Sequence, residues 1–235
     1  MPTVKLSDCE TFFQTEGCDE SIFSNVLSWE RPGDDCAEDI LGYRVYRSSD
    51  KEGTYTALNR LDKLVMDTTY EDKGANGLGL TSLAFCYRIS AVDRSGNESD
   101  LSDPVCNDNC PYYELPNVFT PNNDDCNDEF SAYGNPRNGG GEESDCIPID
   151  TQTRCARFVD RVVFTVYNRW GKEVYSYTGA SHDDVNDIYI GWDGRAADGT
   201  DLATGIYYYL AEVTFDSVDP AKREQKIKGW VHLVR

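Results

Sequence analysis

The protein has 235 residues, of which 22 are Lys or Arg and 42 are Asp or Glu, so its formal net charge at pH 7 is −20. Such a charge repels nucleic acids and anionic membrane surfaces, so neither is an expected partner. Aromatic residues make up 12% of the chain, which provides enough bulky side chains to build packed cores. No apolar run approaches the roughly 18 residues that a membrane-spanning helix needs, so direct membrane insertion is not expected.

The first half of the chain has the two-residue periodicity of β-strands, with apolar, β-branched and aromatic residues alternating with polar ones. The predicted strands are 24–29, 41–48, 54–58, 63–70 and 83–92. Short strands at this spacing are typical of an antiparallel β-sandwich of about 100 residues. Alternation along the last strand predicts one core-facing set, which consists of Phe85, Tyr87, Ile89 and Ala91. Trp29 is expected to cover the same core.

A domain boundary is expected near residue 110, because two cysteines and a proline (Cys106, Cys110 and Pro111) would stiffen a short linker there. The first domain then spans 1–110 and the second spans 111–235. Strands are predicted in the second domain at 115–119, 161–168, 172–177, 205–215 and 225–234. The last two are long and should form a hairpin. The final strand is expected to keep one edge free for pairing with another chain.

Three segments of the first domain form a recognisable series: the strand of Trp29, GYRVYRS at 42–48, and CYRISAVDRSGNES at 86–99. Together they resemble the fibronectin type III family, whose members serve mainly as spacers and binding scaffolds. With the second domain, the fold class is predicted to be all-β, as two tandem antiparallel Ig-like or fibronectin-like β-sandwiches.

The second domain contains motifs in a recognisable order. They are NVFTPN at 117–122 with NDEF at 127–130, VYNRWGKEVY at 166–175, WDGR at 192–195, GIYYYL at 205–210 and KGWVHLVR at 228–235. This series resembles the gliding motility-associated C-terminal domain of the Bacteroidota, which is the type B sorting domain of the type IX secretion system. The residues that match its sorting motifs are Asn117, Phe119, Pro121, Asn168, Arg169, Trp170, Gly171, Trp192, Asp193, Gly194, Gly229 and Arg235.

The resemblance implies that the chain carries a targeting signal, which directs a large exported protein across the outer membrane after its export to the periplasm. The implied partners are the type IX translocon and an outer-membrane barrel of the PorP/SprF type, and the implied location is extracellular or at the cell surface. The first residues lack the basic and apolar regions of a signal peptide, so a piece of a longer protein is expected. An alternative stays open, namely a cell-surface adhesion or ligand- or calcium-binding β-sandwich module.

The nine cysteines predict disulfides and therefore an oxidising, extracytoplasmic location. Their number is odd, and the sequence leaves the connectivity open. One cysteine lies where the chain departs from the family it resembles. The family loop after 117–122 usually runs Gly-Asp-Gly, whereas this chain has NDDC at 123–126. We expect Asn123 to tolerate the positive φ that glycine would supply, and Cys126 to be held by a disulfide.

One acidic loop is a candidate calcium site, because 122–129 (NNDDCNDE) concentrates the oxygen ligands that calcium prefers. The candidate ligands are Asn122, Asp124, Asn127 and Asp128. The loop lacks the full EF-hand pattern, and an Asx turn capped by its own side chains is the alternative. No cofactor other than calcium is suggested. The chain contains no nucleophile elbow, phosphate-binding loop or dinucleotide fingerprint, so no catalytic function is expected.

Overall fold

The computed structural model describes residues 24–31, 33, 38–59, 62–74, 80–124, 126–135 and 155–235. These residues form two compact units, of which the first ends at Asn109 and the second begins at Cys110. Both units are built from β-strands, and the second also contains a 3-10 helix at Val185–Tyr189. Within these ranges, no helix has both the length and the apolar character needed to cross a membrane.

The first unit is a sandwich of two sheets. Its strands are β1 (Asn25–Ser28), β2 (Ile40–Ser48), β3 (Thr56–Ala57), β4 (Thr69–Asp72), β5 (Cys86–Asp93) and β6 (Val105–Cys106). One sheet pairs β1 with β4, and the other has the order β3-β2-β5-β6, with antiparallel pairing throughout. These sheets correspond to strands B and E and to strands C′, C, F and G of an Ig-like or fibronectin-like sandwich.

The core of the first unit lies between these two sheets. Its buried apolar side chains are Leu27, Trp29, Tyr43, Val45, Tyr87 and Ile89, with Phe85 and Ala91 among the partly buried ones packed against them. Trp29 meets Tyr43 edge to face, with 5.3 Å between the ring centroids. The core-facing set predicted on the last strand and the covering role of Trp29 are therefore confirmed.

Two strands of the first unit differ from the prediction. The strand predicted at 63–70 begins only at Thr69, and before it Val65 makes an isolated bridge to Tyr43. The strand β6 is not predicted at all, because two residues are too few to show a period.

Disulfides are present in both units. The five described cysteines, Cys86, Cys106, Cys110, Cys126 and Cys155, are all disulfide-bonded. The Cys86–Cys106 bridge joins directly opposite residues of β5 and β6. This confirms the prediction of disulfides, while Cys9, Cys18, Cys36 and Cys146 lie outside the described residues.

The second unit repeats the plan with longer strands. They are β7 (Val118–Phe119), β8 (Phe130–Ser131), β9 (Val159–Tyr167), β10 (Glu173–Ala180), β11 (Ile190–Trp192), β12 (Gly205–Phe215) and β13 (Glu224–Leu233). One sheet has the order β10-β9-β12-β13-β7, and the other pairs β11 with β8. All pairs are antiparallel except β13 with β7, which is parallel. Both units are thus all-β sandwiches, as predicted.

The last two strands form the predicted hairpin, but the final strand is not free along its whole outer edge. His232 and Leu233 pair with Val118 and Phe119 of β7. The expectation of a free terminal edge is therefore wrong for the last residues of β13. The reason is that Phe119 must reach the core, where its side chain is 1% exposed, and the pairing with β13 places it there.

Candidate functional site

Strand register brings the predicted sorting residues, except Gly229, to one end of the second unit. The strand β9 ends at Tyr167, opposite Tyr208 near the start of β12. The strand β12 begins at Gly205, opposite Leu233 near the end of β13. The turn after β9, the loop before β12 and the last residues after β13 therefore lie at the same end. We call this region the motif end and define it as residues 117–124, 168–172, 192–205 and 232–235.

The first motif attaches the chain to the last strand. The carbonyl oxygen of Asn117 accepts the His232 N–H at 2.8 Å, and the carbonyl oxygen of Phe119 accepts the Val234 N–H at 3.2 Å. Asn117 is exposed, whereas Phe119 is buried with its ring 5.2 Å from that of Trp192. Pro121 is half-buried and follows this segment directly. The motif therefore supplies one strand and one core side chain.

The motif at 192–194 is a turn that closes against the end of β13. Trp192 is fully buried, and its Nε1–H donates to the Arg195 carbonyl oxygen at 2.8 Å. The Asp193 carboxylate accepts the Arg195 N–H at 3.1 Å. Gly194 has φ 79°, and a Cβ there would lie 2.7 Å from Cδ1 of Leu233. Only glycine fits this position, because both the backbone conformation and the space exclude a side chain.

Arg235 ties the last residue to the same turn. Its guanidinium Nη2 donates to the Gly194 carbonyl oxygen at 3.1 Å and lies 3.2 Å from the Asp201 carboxylate. The same carboxylate accepts from Nε of Arg195 at 3.1 Å. One aspartate thus joins two arginines at the motif end.

Two tyrosines of β12 explain further features of the motifs. The ring of Tyr209 lies over Gly229 on the neighbouring strand, and a Cβ at that glycine would clash with the Tyr209 hydroxyl. The Tyr207 hydroxyl donates to the Ala203 carbonyl oxygen at 2.8 Å. This bond runs from the start of β12 to the backbone just upstream, as in the tyrosine corner of Ig-like sandwiches. It was not predicted from the sequence, although the first Tyr of GIYYYL was the available signal.

The motif at 168–171 is the turn between β9 and β10. The Gly171 N–H donates to the Asn168 carbonyl oxygen, and the Asn168 N–H donates to the Lys172 carbonyl oxygen, both at 2.9 Å. The side-chain oxygen of Asn168 accepts the N–H groups of Trp170 and Lys172, each at 3.0 Å. Gly171 has φ 77°. These bonds define a three-residue hairpin loop that ends in a bulge glycine.

Arg169 and Trp170 occupy the tip of this turn. The Trp170 side chain is 75% exposed, and the Arg169 guanidinium carbon lies 4.2 Å from its ring centroid. This is cation–π geometry. Both tip residues are exposed, whereas Phe119 and Trp192, which belong to two of the other motifs, are buried.

The candidate calcium loop forms a network of Asx turns. Oδ1 of Asp128 accepts the N–H groups of Asn122 at 2.8 Å and Asn123 at 2.6 Å. Oδ1 of Asp124 accepts the Cys126 N–H at 3.0 Å, and its Oδ2 accepts from the Asn122 side-chain amide at 2.8 Å. The loop therefore holds its own shape through the oxygen atoms that a cation would need.

The structure agrees with both expectations for Asn123 and Cys126, which lie where this chain departs from the family pattern. Asn123 has φ 59°, so asparagine takes the conformation that glycine would supply, and Cys126 is disulfide-bonded. Asn127 also has a positive φ, of 56°, and its carbonyl oxygen accepts the Thr120 N–H at 2.9 Å. Among the described residues, no three His, Cys, Asp or Glu side chains are grouped so that they could hold a metal. The calcium site stays a prediction.

An apolar patch on the outer face of the larger sheet was not predicted. We call it the outer patch, and it consists of Val118, Ile206, Tyr208 and Trp230. Each of these residues is between 45% and 52% exposed. Tyr208 lies opposite Trp230, while Ile206 and Val118 both lie opposite His232. Directly opposite side chains share a face and are close neighbours, so the patch is continuous across three strands.

Comparison with protein families gives a match to the second unit. Residues 113–233 match the family described as the CHU_C type IX secretion signal domain. Among curated proteins, the amylopullulanase of Thermoanaerobacterium saccharolyticum is 37% identical over 76 residues, which is 32% of this chain and 5% of that protein. The chain therefore spans only a small part of the length of this relative.

Two solved structures are similar to this chain at low TM-scores. An Fn3-like protein from Clostridium thermocellum is 20% identical with a TM-score of 0.28, and the match covers 45% of this chain and 90% of that one. Dimeric latent PorU from Porphyromonas gingivalis is 15% identical with a TM-score of 0.28, and the match covers 100% of this chain and 20% of that one.

Proposed function

Because the chain belongs to the type IX secretion signal domain family, we propose that it directs the protein that carries it across the outer membrane through the type IX secretion system. The extent of the family match carries this proposal. The match runs from residue 113 to residue 233 and so includes every strand that the structure describes in the second unit, from β7 to β13. It covers this whole set of strands and not an isolated motif.

The geometry of the motif end supports recognition of a folded domain. Buried motif residues such as Phe119, Trp192 and Gly194 hold three chain segments together. Exposed motif residues are then presented from a rigid base. We assign the partners as the translocon and an outer-membrane barrel of the PorP/SprF type. The carried protein passes through the periplasm and ends outside the cell or on its surface.

The first unit has a different role in this proposal. Its fibronectin-like sandwich is a spacer between the sorting domain and the protein that is exported, and neither unit is catalytic. A spacer needs to be folded and stable, and the buried core and the Cys86–Cys106 disulfide provide for both.

A secretion assay tests the sorting function. Residues 1–235 are fused behind a signal peptide and a fluorescent protein, and the reporter should appear outside cells that have a type IX system. It should stay in the periplasm when the translocon is deleted. Removing residues 228–235 should also trap it, because β12 loses most of its partner strand and Tyr209 loses the glycine beneath its ring.

The matched control is a fusion that carries residues 1–109 alone. It should stay in the periplasm of both strains. Export of this fusion, together with retention of the full chain, would reverse the roles that we assign to the two units.

A second candidate function, a ligand-binding surface module, is favoured by the outer patch. Contiguous exposed apolar residues are uncommon on soluble monomers and often mark binding sites. The aromatic rings of Tyr208 and Trp230 could bind the apolar faces of sugars. A glycan array probed with residues 1–235 tests this, and binding should be lost in Trp230→Ala. No glycan bound by the unsubstituted chain would remove glycans as ligands of the outer patch.

A further inference from the structure

The tip of the β9–β10 turn carries two residues that the turn itself does not require. A turn of this kind favours Asn at its first position and Gly at its fourth, and Asn168 and Gly171 satisfy both. The two central positions accept most residue types. Here they are Arg169 and Trp170. Two small polar residues would form the same turn without exposing a large apolar side chain to water.

Trp170 is the most exposed of the four tryptophans. Its side chain is 75% exposed, whereas Trp29 and Trp192 are buried and Trp230 is about half exposed. Within the described part of the chain, its one ring interaction is with the Arg169 guanidinium. Because the backbone bonds and the Asn168 side chain hold the turn, the shape of the tip does not depend on the indole.

Among the described residues, Arg169 has no partner of opposite charge. In the ranges that the structure describes, no carboxylate lies within ion-pair distance of it, whereas Arg195 and Arg235 at the same end both pair with Asp201. Burial raises the pKa of the Tyr207 hydroxyl, and the charges of Arg235 and Arg169 oppose that rise. Arg169 and Arg235 thus both lie close enough to the Tyr207 hydroxyl to act on it electrostatically.

We propose that Arg169 and Trp170 form a preorganised finger that inserts into an apolar pocket bearing a carboxylate, on a protein component of the secretion machinery. This inference rests on the proposed sorting function. Trp and Arg are the residues most enriched at binding hot spots, since each buries a large area and Arg also binds carboxylates. A rigid turn loses little conformational entropy when it binds.

The charge of the chain favours a protein pocket over an anionic membrane as the partner. With a net charge of −20, the chain is repelled by an extended anionic surface. A single carboxylate inside an apolar pocket attracts Arg169 without presenting such a surface. The indole supplies the apolar contact that complements the rest of the pocket.

The test is the secretion assay with residues 1–235 and with variants in the tip. Trp170→Ala and Arg169→Glu should each lower the exported fraction by roughly tenfold or more, as expected for hot-spot residues. Arg169→Lys should lose less, because it keeps the charge but not the planar guanidinium. Thermal melting of the purified chains should be unchanged, because neither side chain holds the fold. Met66→Ala is the control, and it removes a side chain of similar exposure, 71%, from the first unit without loss of export.

The arms of the experiment separate the possible failures. If the unsubstituted chain stays in the periplasm of the competent strain, the sorting function and this inference both fail. If it is exported and Trp170→Ala is exported equally well, only the inference fails. An equal loss in Met66→Ala would contradict the assignment to the tip.

Two direct measurements identify the partner class. A photo-crosslinking phenylalanine analogue at position 170 should form a protein adduct that is absent from the translocon-deleted strain, and the same analogue at position 66 should not. Cosedimentation of residues 1–235 with phosphatidylglycerol vesicles should show no binding that depends on Trp170. Such binding would replace the protein pocket with a membrane and overturn the inference.

Discussion

Each unit packs a two-stranded sheet against a larger one, of four strands in the first unit and five in the second, but the two units join their sheets by different chemistry. In the first unit, a buried polar cluster connects them. The Asn25 side-chain amide donates to the Tyr87 hydroxyl at 2.8 Å, and that hydroxyl donates to the Asp72 carboxylate at 2.9 Å. Arg47 pairs with the same carboxylate at 2.8 Å. These residues come from β1, β5, β4 and β2, so the bonds cross from one sheet to the other.

The second unit joins its sheets with aromatic rings. Trp192 on the smaller sheet lies 5.2 Å from Phe119 and 6.1 Å from Tyr207 on the larger sheet, measured between ring centroids. Phe130 on the smaller sheet lies 5.5 Å from both Phe164 and Tyr209. Ring contacts of this kind stabilise the fold through the area that they bury, and they allow several relative orientations of the rings. A buried hydrogen bond is more demanding, because removing one partner leaves the other unsatisfied. The two sheets of a β-sandwich can therefore be joined either by hydrogen bonds between polar side chains or by contacts between aromatic rings.

The largest expected effect comes from the centre of the aromatic core. Trp192→Ala should lower the free energy of unfolding of the second unit by about 3–5 kcal/mol, because it removes a fully buried ring and leaves a cavity. Hydrogen exchange measured by mass spectrometry at increasing denaturant reports each unit separately. Peptides from the second unit should lose protection, while those from the first should keep it. Equal loss in both units would contradict the separation of the two cores.

The disulfide of the first unit should have the next largest effect. Replacing both Cys86 and Cys106 with Ala opens a loop with a sequence separation of 20 residues, which should lower the free energy of unfolding by about 3 kcal/mol. The same exchange measurement should show the loss in peptides of the first unit. An unchanged stability would mean that the backbone pairing of β5 with β6 restrains the two strands without the disulfide.

The buried polar cluster itself can be broken without changing its volume. Asp72→Asn should lower the free energy of unfolding of the first unit by about 1–3 kcal/mol, because Arg47 and the Tyr87 hydroxyl lose a charged acceptor. Glu71→Gln is the matched control, since it affects an exposed ion pair with Lys73 and should change stability by no more than about 0.5 kcal/mol. Denaturant unfolding of both variants measures the difference. Equal effects would show that burial of Asp72 adds nothing.

The smallest expected effect tests calcium at the acidic loop. If the site has a Kd of about 1 mM, as in extracellular modules, about 5 mM calcium should stabilise the second unit by about 1 kcal/mol. Melting is compared in calcium and in chelator, and Asp128→Asn should abolish the difference. No calcium-dependent change in the unsubstituted chain would assign the loop to Asx turns alone.

Long strands and local backbone features could be predicted from this sequence. The alternation of apolar and polar residues identified β2, β5, β9, β12 and β13 to within a few residues. A period of two becomes visible when a strand is long enough to repeat it several times. The positive φ of Asn123 was predictable from the residue type, and so were the disulfides from the number of cysteines. The five motifs also indicated the family before any geometry was known.

Only the tertiary structure decided which side chains of the motifs are buried and which are exposed to solvent. The strands β6, β8 and β11 have two or three residues each, so their pairing depends on distant segments and leaves no local period. Nothing in the sequence separates Trp192, which is fully buried, from Trp170, which is 75% exposed. Both are tryptophans followed closely by glycine in a turn motif. Register across the sheet places one between the layers and the other at the tip of a hairpin, because burial is set by non-local packing and not by the residues on either side.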